Sequence, residues 1–152
     1  KKGKTHVLHI IRELLSFEPQ STGTDIAQAL QYFANAQKRH CTAFLISDFI
    51  DAGNMYQPLM IASNRHEVNA IQIYDRREAE LPNVGLIKFH DAETGKDIWI
   101  DTAITSVRNN YAQAWRDNQD TIQQLFTRTG VDHVSIRTDE DYVKALMHLF
   151  RC

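Results

Sequence analysis

Apolar residues near the start of the chain recur at helical spacing. Val7, Ile10, Ile11, Leu14 and Leu15 fall on one face of residues 5–16, the stripe of an amphipathic helix. Residues 17–23 carry Pro19 and Gly23 and read as a loop. A second helix is expected over residues 25–38, with Ile26, Ala29, Leu30, Phe33 and Ala36 on one stripe and Thr24 or Asp25 as its cap. The pattern then changes. Residues 42–47 form a short apolar run without alternation, ending at Asp48, and that predicts a strand covered on both faces, as parallel strands are.

Gly53 and Asn54 punctuate, and residues 56–64 read as a short helix. Residues 68–74 give a second strand ending at Asp75, so strand, helix and strand are spaced as a right-handed crossover unit. Residues 84–90 and 96–101 predict an antiparallel hairpin around Asp91-Ala-Glu-Thr-Gly95, a run of turn formers. A long helix follows over residues 104–128, with Val107, Tyr111, Ala114, Trp115, Ile122, Leu125 and Phe126 near one face and Gly130 as its stop. Residues 131–137 read as a last strand and residues 139–150 as a closing helix. The sum is an α/β architecture, a parallel sheet flanked by helices with an inserted β-hairpin. Three parallel-type strands are too few to cover four or more helices, and the first two helices arrive before any strand. The expectation is one partial domain over residues 1–152, truncated at the N-terminus of its sheet.

Composition narrows the classes. A chain of 152 residues supports one core, and a net charge of −2 gives no global reason to bind nucleic acid or an anionic membrane. Cys41 lies in an apolar run and Cys152 is the last residue, so no disulfide framework is implied. With seven histidines and no secretory leader, the expected setting is cytoplasmic. No apolar run reaches the roughly 20 residues that cross a bilayer. The chain begins at Lys1 rather than Met, which leaves a leader or membrane segment upstream open.

Ligands of open α/β sheets sit beyond the carboxyl ends of the strands, which directs attention to Asp48, Asp75 and the loop with Thr22, Gly23 and Thr24. Asp48 and Thr24 offer a carboxylate and a hydroxyl to a hard cation. The competing reading makes the Asp a turn former and the Thr a helix cap. Other constellations are weaker. Ser47-Asp48 with His66 lacks the Gly-x-Ser-x-Gly elbow, and Ser21-Thr-Gly-Thr24 has one Gly and no Walker Lys after it. His40-Cys41 reads as packing, and His6 and His9 as surface histidines without a third ligand. Asp75, Glu78 and Glu80 read as a solvated edge, and Asp139-Glu-Asp141 as acids at a helix start. No nucleophile and base pair emerges, so no enzyme activity is expected.

Taken in order, these residues resemble a known family. Gly23-Thr-Asp-Ile-Ala-Gln-Ala-Leu30 and Phe44-Leu-Ile-Ser-Asp48-Phe resemble the second and third metal motifs of von Willebrand factor A domains. More narrowly, the chain resembles the bacterial domain-of-unknown-function 58 family. That likeness is carried by Ser47-Asp-Phe-Ile-Asp51, His66-Glu-Val68, Asp75-Arg-Arg-Glu-Ala-Glu-Leu-Pro82, Asp101-Thr102, Arg108-Asn-Asn-Tyr111 and Thr138-Asp-Glu-Asp-Tyr142. The resemblance implies a Rossmann-like parallel sheet with a metal-ion-dependent adhesion site at its carboxyl edge. In that site Thr24 matches the threonine of the second motif and Asp48 the aspartate of the third. The first motif, Asp-x-Ser-x-Ser, is absent from the sequence. The expectation is therefore Mg or Mn in the intact protein, no specific metal here, and an open sheet edge inviting dimerisation. The family likeness further implies a protein-protein interaction module, the partner of a MoxR-type AAA+ ATPase in assembly or maturation. The rival expectation is a metal-dependent hydrolase or nuclease using Asp25, Asp48 and Asp51.

Overall fold

The computed structural model describes residues 3–18, 23–50, 54–90 and 95–150. Helix α1 spans Lys4–Ser16 and α2 spans Ile26–Ala36. The apolar stripe of α1 meets no core, and none of its residues is buried. Helix α2 buries Ile26, Leu30 and Ala34. Asp25, not Thr24, is its N-cap, the carboxylate accepting the Gln28 N–H at 2.8 Å, a bond that satisfies one of the orphan donors of the first turn.

Strand β1 (Thr42–Ser47), helix α3 (Tyr56–Arg65) and strand β2 (Glu67–Tyr74) form the expected crossover unit. Strand β5 (Asp132–Arg137) completes a parallel sheet of order β1-β2-β5. The register runs from Thr42 opposite Glu67 to Ser47 opposite Gln72, and from Asn69 opposite Asp132 to Tyr74 opposite Arg137. Paired residues share a face. Val68 and Ala70 therefore lie with Leu45 on one side, packed with Ile26, Leu30, Leu59, Ile122 and Phe126 of α2, α3 and helix α5 (Thr105–Thr129). Gly130 ends α5 in the left-handed conformation at φ 66°, donating to the Phe126 and Thr127 carbonyls, as a C-terminal glycine does.

The opposite face departs from expectation. Strand β1 is not covered on both sides: Phe44 is 47% and Ile46 59% exposed. Short helix α6 (Tyr142–Leu149) packs on β5, and Phe150 just beyond it meets Phe44 edge-on at 5.7 Å. One helix of 8 residues is about 12 Å long, too short to screen all three strands. Among the described residues the outer edge of β1 has no strand partner.

Between β2 and α5 lie a one-turn helix α4 (Arg76–Ala79) and the hairpin of β3 (Leu86–His90) and β4 (Asp97–Asp101), antiparallel as expected. The loop residues 91–94 lie outside the described residues. Thr102 is wholly buried and fastens the hairpin base: its hydroxyl donates to the Gly85 carbonyl at 2.7 Å and accepts the Val84 N–H at 3.0 Å.

Candidate functional site

The carboxyl edge of the sheet is built around the turn after β1. Asp48 Oδ1 accepts the Ile50 N–H at 3.3 Å, and the Ser47 hydroxyl accepts the Phe49 N–H at 3.1 Å. These local bonds turn the chain sharply at the strand end. The turn forces Phe49 to φ 56°, the only described non-glycine residue with positive φ, a conformation that an L side chain adopts at a cost. Burial holds it there. The Phe49 ring is fully buried and meets Phe126 edge-to-face at 5.3 Å. Gln72, buried in β2, donates to the Asp48 carbonyl at 3.0 Å and accepts the Ser135 hydroxyl at 2.8 Å, tying the three strand ends together.

Next to this turn, Asp75 ends β2. Its Oδ1 accepts the Arg77 N–H at 2.8 Å as the N-cap of α4, and its Oδ2 accepts the Thr138 hydroxyl at 3.2 Å. The one-turn helix swings Glu78 back toward the sheet. Asp75, Glu78 and Glu80 are thus not one solvated edge: Glu80 pairs with Arg76 in the open, whereas Glu78 is partly buried. Glu78 Oε2 is buried and has no hydrogen-bond partner among the described residues. Burial pushes the Glu78 carboxyl above the usual range and the Asp48 and Asp75 charges add to the rise, against a backbone hydrogen bond at Asp75. The Tyr111 phenol is also raised, by burial and then by the Glu78 charge. Its hydroxyl donates to the Arg77 carbonyl at 3.2 Å. Glu78 and Tyr111 line a cavity of about 330 Å³ with Ile50, Ala114, Trp115 and Asn118.

Of the metal candidates, Asp48 stands at this edge with one oxygen engaged in its own turn, and Thr24 is exposed ahead of α2. Asp25 is committed to capping, and Asp51 lies outside the described residues. No group of three or more His, Cys, Asp or Glu able to hold a metal occurs among the described residues. Magnesium takes six oxygen ligands in near-octahedral order, so Thr24 and Asp48 alone do not make its site. The remaining polar features lie elsewhere. His66 is buried after α3 with Nδ1 3.7 Å from Cys41 Sγ and its ring 4.7 Å from that of Phe33, at the amino end of the sheet, away from Asp48. Asp141 caps α6, accepting the Val143 N–H at 2.9 Å. No described helix is long and apolar enough to cross a membrane.

Sequence reasoning placed Asp48 and Asp75 at the edge but missed Glu78 and Trp115. The signal for Glu78 was present: a carboxylate three residues after a capping Asp returns to the face of its cap.

A family model described as "Protein of unknown function DUF58" matches residues 1–121. Uncharacterized proteins of Mycobacterium tuberculosis and Mycobacterium bovis are each 31% identical over 147 residues, 94% of this chain and 45% of theirs. An uncharacterized protein of Mycobacterium avium is 30% identical over 135 residues, 88% of this chain and 78% of that protein. The chain thus spans about 45% of the length of the first relatives it matches. No solved structure matches it.

Proposed function

The chain belongs to the DUF58 family, and from that premise we propose that it is part of a protein-protein interaction module of the von Willebrand factor A type. The partner fitting the reading is a MoxR-type AAA+ ATPase, and the setting is the assembly or maturation of another complex. One observation carries the binding role: apolar surface that the chain's own elements leave uncovered. Leu14 of α1 is 73% exposed, and Phe44, Ile46 and Ile73 stand open on one sheet face. Exposed apolar surface of this kind marks faces that another polypeptide covers.

The metal belongs to the intact protein in this proposal, where Mg or Mn would need ligands beyond Thr24 and Asp48. Binding of the intact protein to a MoxR-type ATPase, measured by calorimetry, tests the reading. Asp48→Ala and Ile46→Asp are each expected to weaken the complex at least about tenfold, the scale of one lost interface anchor. A complex indifferent to both substitutions would refute it.

A further inference from the structure

Glu78 poses a chemical question that the fold does not answer. A buried carboxylate oxygen without a partner costs free energy in any state of charge. Ionised, the carboxylate has the backbone hydrogen bond at Asp75 but no cationic side chain to balance its charge. Asp48 and Asp75 add negative charge close by, and no Lys or Arg is among the described residues that line the cavity. Two aromatic residues, Tyr111 and Trp115, nevertheless line the cavity beside Glu78. Trp115 is held in place by Tyr74, their ring centres 5.2 Å apart at 39°. At about 330 Å³ the space is at the small end of ligand pockets, roughly 300–1,000 Å³, and suits one side-chain-sized group.

We infer that this cavity binds a guanidinium group, with Glu78 as its carboxylate and Trp115 and Tyr111 as its stacking walls. Each competing class fails on one feature. An anion would enter against three carboxylates. Among the described lining residues a hard metal ion would find one carboxylate and aromatic carbon where it requires a shell of oxygens. A neutral apolar group would leave the Glu78 charge without a counterion. An ammonium would satisfy the charge, but it is a strongly hydrated point charge, whereas guanidinium is planar, weakly hydrated and able to stack on an indole while donating sideways to a carboxylate. The natural source is an arginine side chain presented by another polypeptide, and a free alkylguanidine shares its chemistry. The inference stands apart from the von Willebrand reading. It requires neither Thr24 nor a metal, and its failure would leave that reading where it is.

The chain has two tryptophans, Trp99 and Trp115, and Trp99 lies exposed on β4. In a Trp99→Phe background, indole emission therefore reports on the cavity alone. Ethylguanidinium is expected to change that emission saturably, with affinity on the order of 1 mM, the scale of one charge-assisted pair plus one cation–π contact. Ethylurea, its uncharged isostere, should bind about tenfold or more weakly, as should ethylammonium. Glu78→Gln keeps the shape of the side chain and should erase the preference for guanidinium over urea. Should that variant not fold, the comparison of ligands on the unaltered cavity still decides. A Gly-Arg-Gly peptide binding as well as ethylguanidinium would identify the source as a protein side chain; ethylguanidinium binding alone would identify a small guanidine, and both support the site. Equal binding of the three small ligands, no response to any, or an unchanged preference in Glu78→Gln would overturn it.

Discussion

Replacing Phe49 tests whether burial holds the turn that carries Asp48. The ring is fully buried and meets Phe126 edge-to-face. Truncating a buried Phe to Ala costs about 3–5 kcal/mol, of which the aromatic pair accounts for about 0.5–1.5 kcal/mol. Against a domain stability of about 5–15 kcal/mol, Phe49→Ala removes a large share. The diagnostic comparison is with Phe49→Gly. At an ordinary backbone position Gly is less stable than Ala by about 0.5–1 kcal/mol. At φ 56° the left-handed conformation costs an L residue about 1–2 kcal/mol, and glycine escapes that cost. The two effects oppose each other, and the second is larger. Phe49→Gly is therefore expected to equal Phe49→Ala or exceed it by up to about 1.5 kcal/mol, the reverse of the usual order. Urea unfolding of the two variants, followed by circular dichroism and compared at equal m-value, measures the difference. If Phe49→Gly falls below Phe49→Ala by about 0.5 kcal/mol or more, the ordinary glycine penalty, the left-handed turn is not strained. If Phe49→Ala costs less than about 1.5 kcal/mol, the ring is not the clamp.

Two further outcomes follow from groups beside that turn. The Glu78 pKa is raised above its unfolded value of 4.5, so the folded state binds the extra proton. The associated stability is present below pH 4.5 and is lost as pH rises through the higher folded value. Glu78→Gln should flatten that slope and leave stability at neutral pH equal or higher, in melting curves taken from about pH 4 to 8; a variant that keeps the slope and loses stability would show the carboxylate to be paired after all. Gln72→Leu strips two hydrogen bonds from buried strand ends, leaving the Asp48 carbonyl and the Ser135 hydroxyl without a partner. It should cost about 1–3 kcal/mol by chemical denaturation, and a neutral result would mean that water already serves both groups.

The elements were legible where side-chain period and punctuation agree. The α2 stripe, the βαβ unit around α3 and the stop of α5 at Gly130 all occur within a residue or two of expectation. What was not legible is what covers each element. The run from Phe44 to Ile46 has the composition of a strand buried on both sides, yet β1 lies at an edge with one face largely open; composition records suitability for burial, not its source. The helix α1 stripe misleads in the same way. At the site, Asp48 and Asp75 were found because strand ends are visible in sequence. Glu78 was passed over because three acids beside a proline resemble any solvated loop. Its burial depends on α4, a single turn with no hydrophobic period to announce it, and on Tyr111 and Trp115, which lie 33 and 37 residues further along the chain.

Helix α1 has 13 residues and buries none of them. An isolated helix of about 12–15 residues is marginal in water, because nucleation is unfavourable and little packing follows to offset it. The amides of α1 should therefore exchange with solvent through a local helix–coil opening, far faster than those of β2, whose release requires the whole core to come apart. Hydrogen exchange divides the chain into a cooperative unit around the sheet and a segment whose order is set from outside. Whatever seats on Val7, Ile11 and Leu14 would be detected first as slowed exchange along α1, before any change in the sheet.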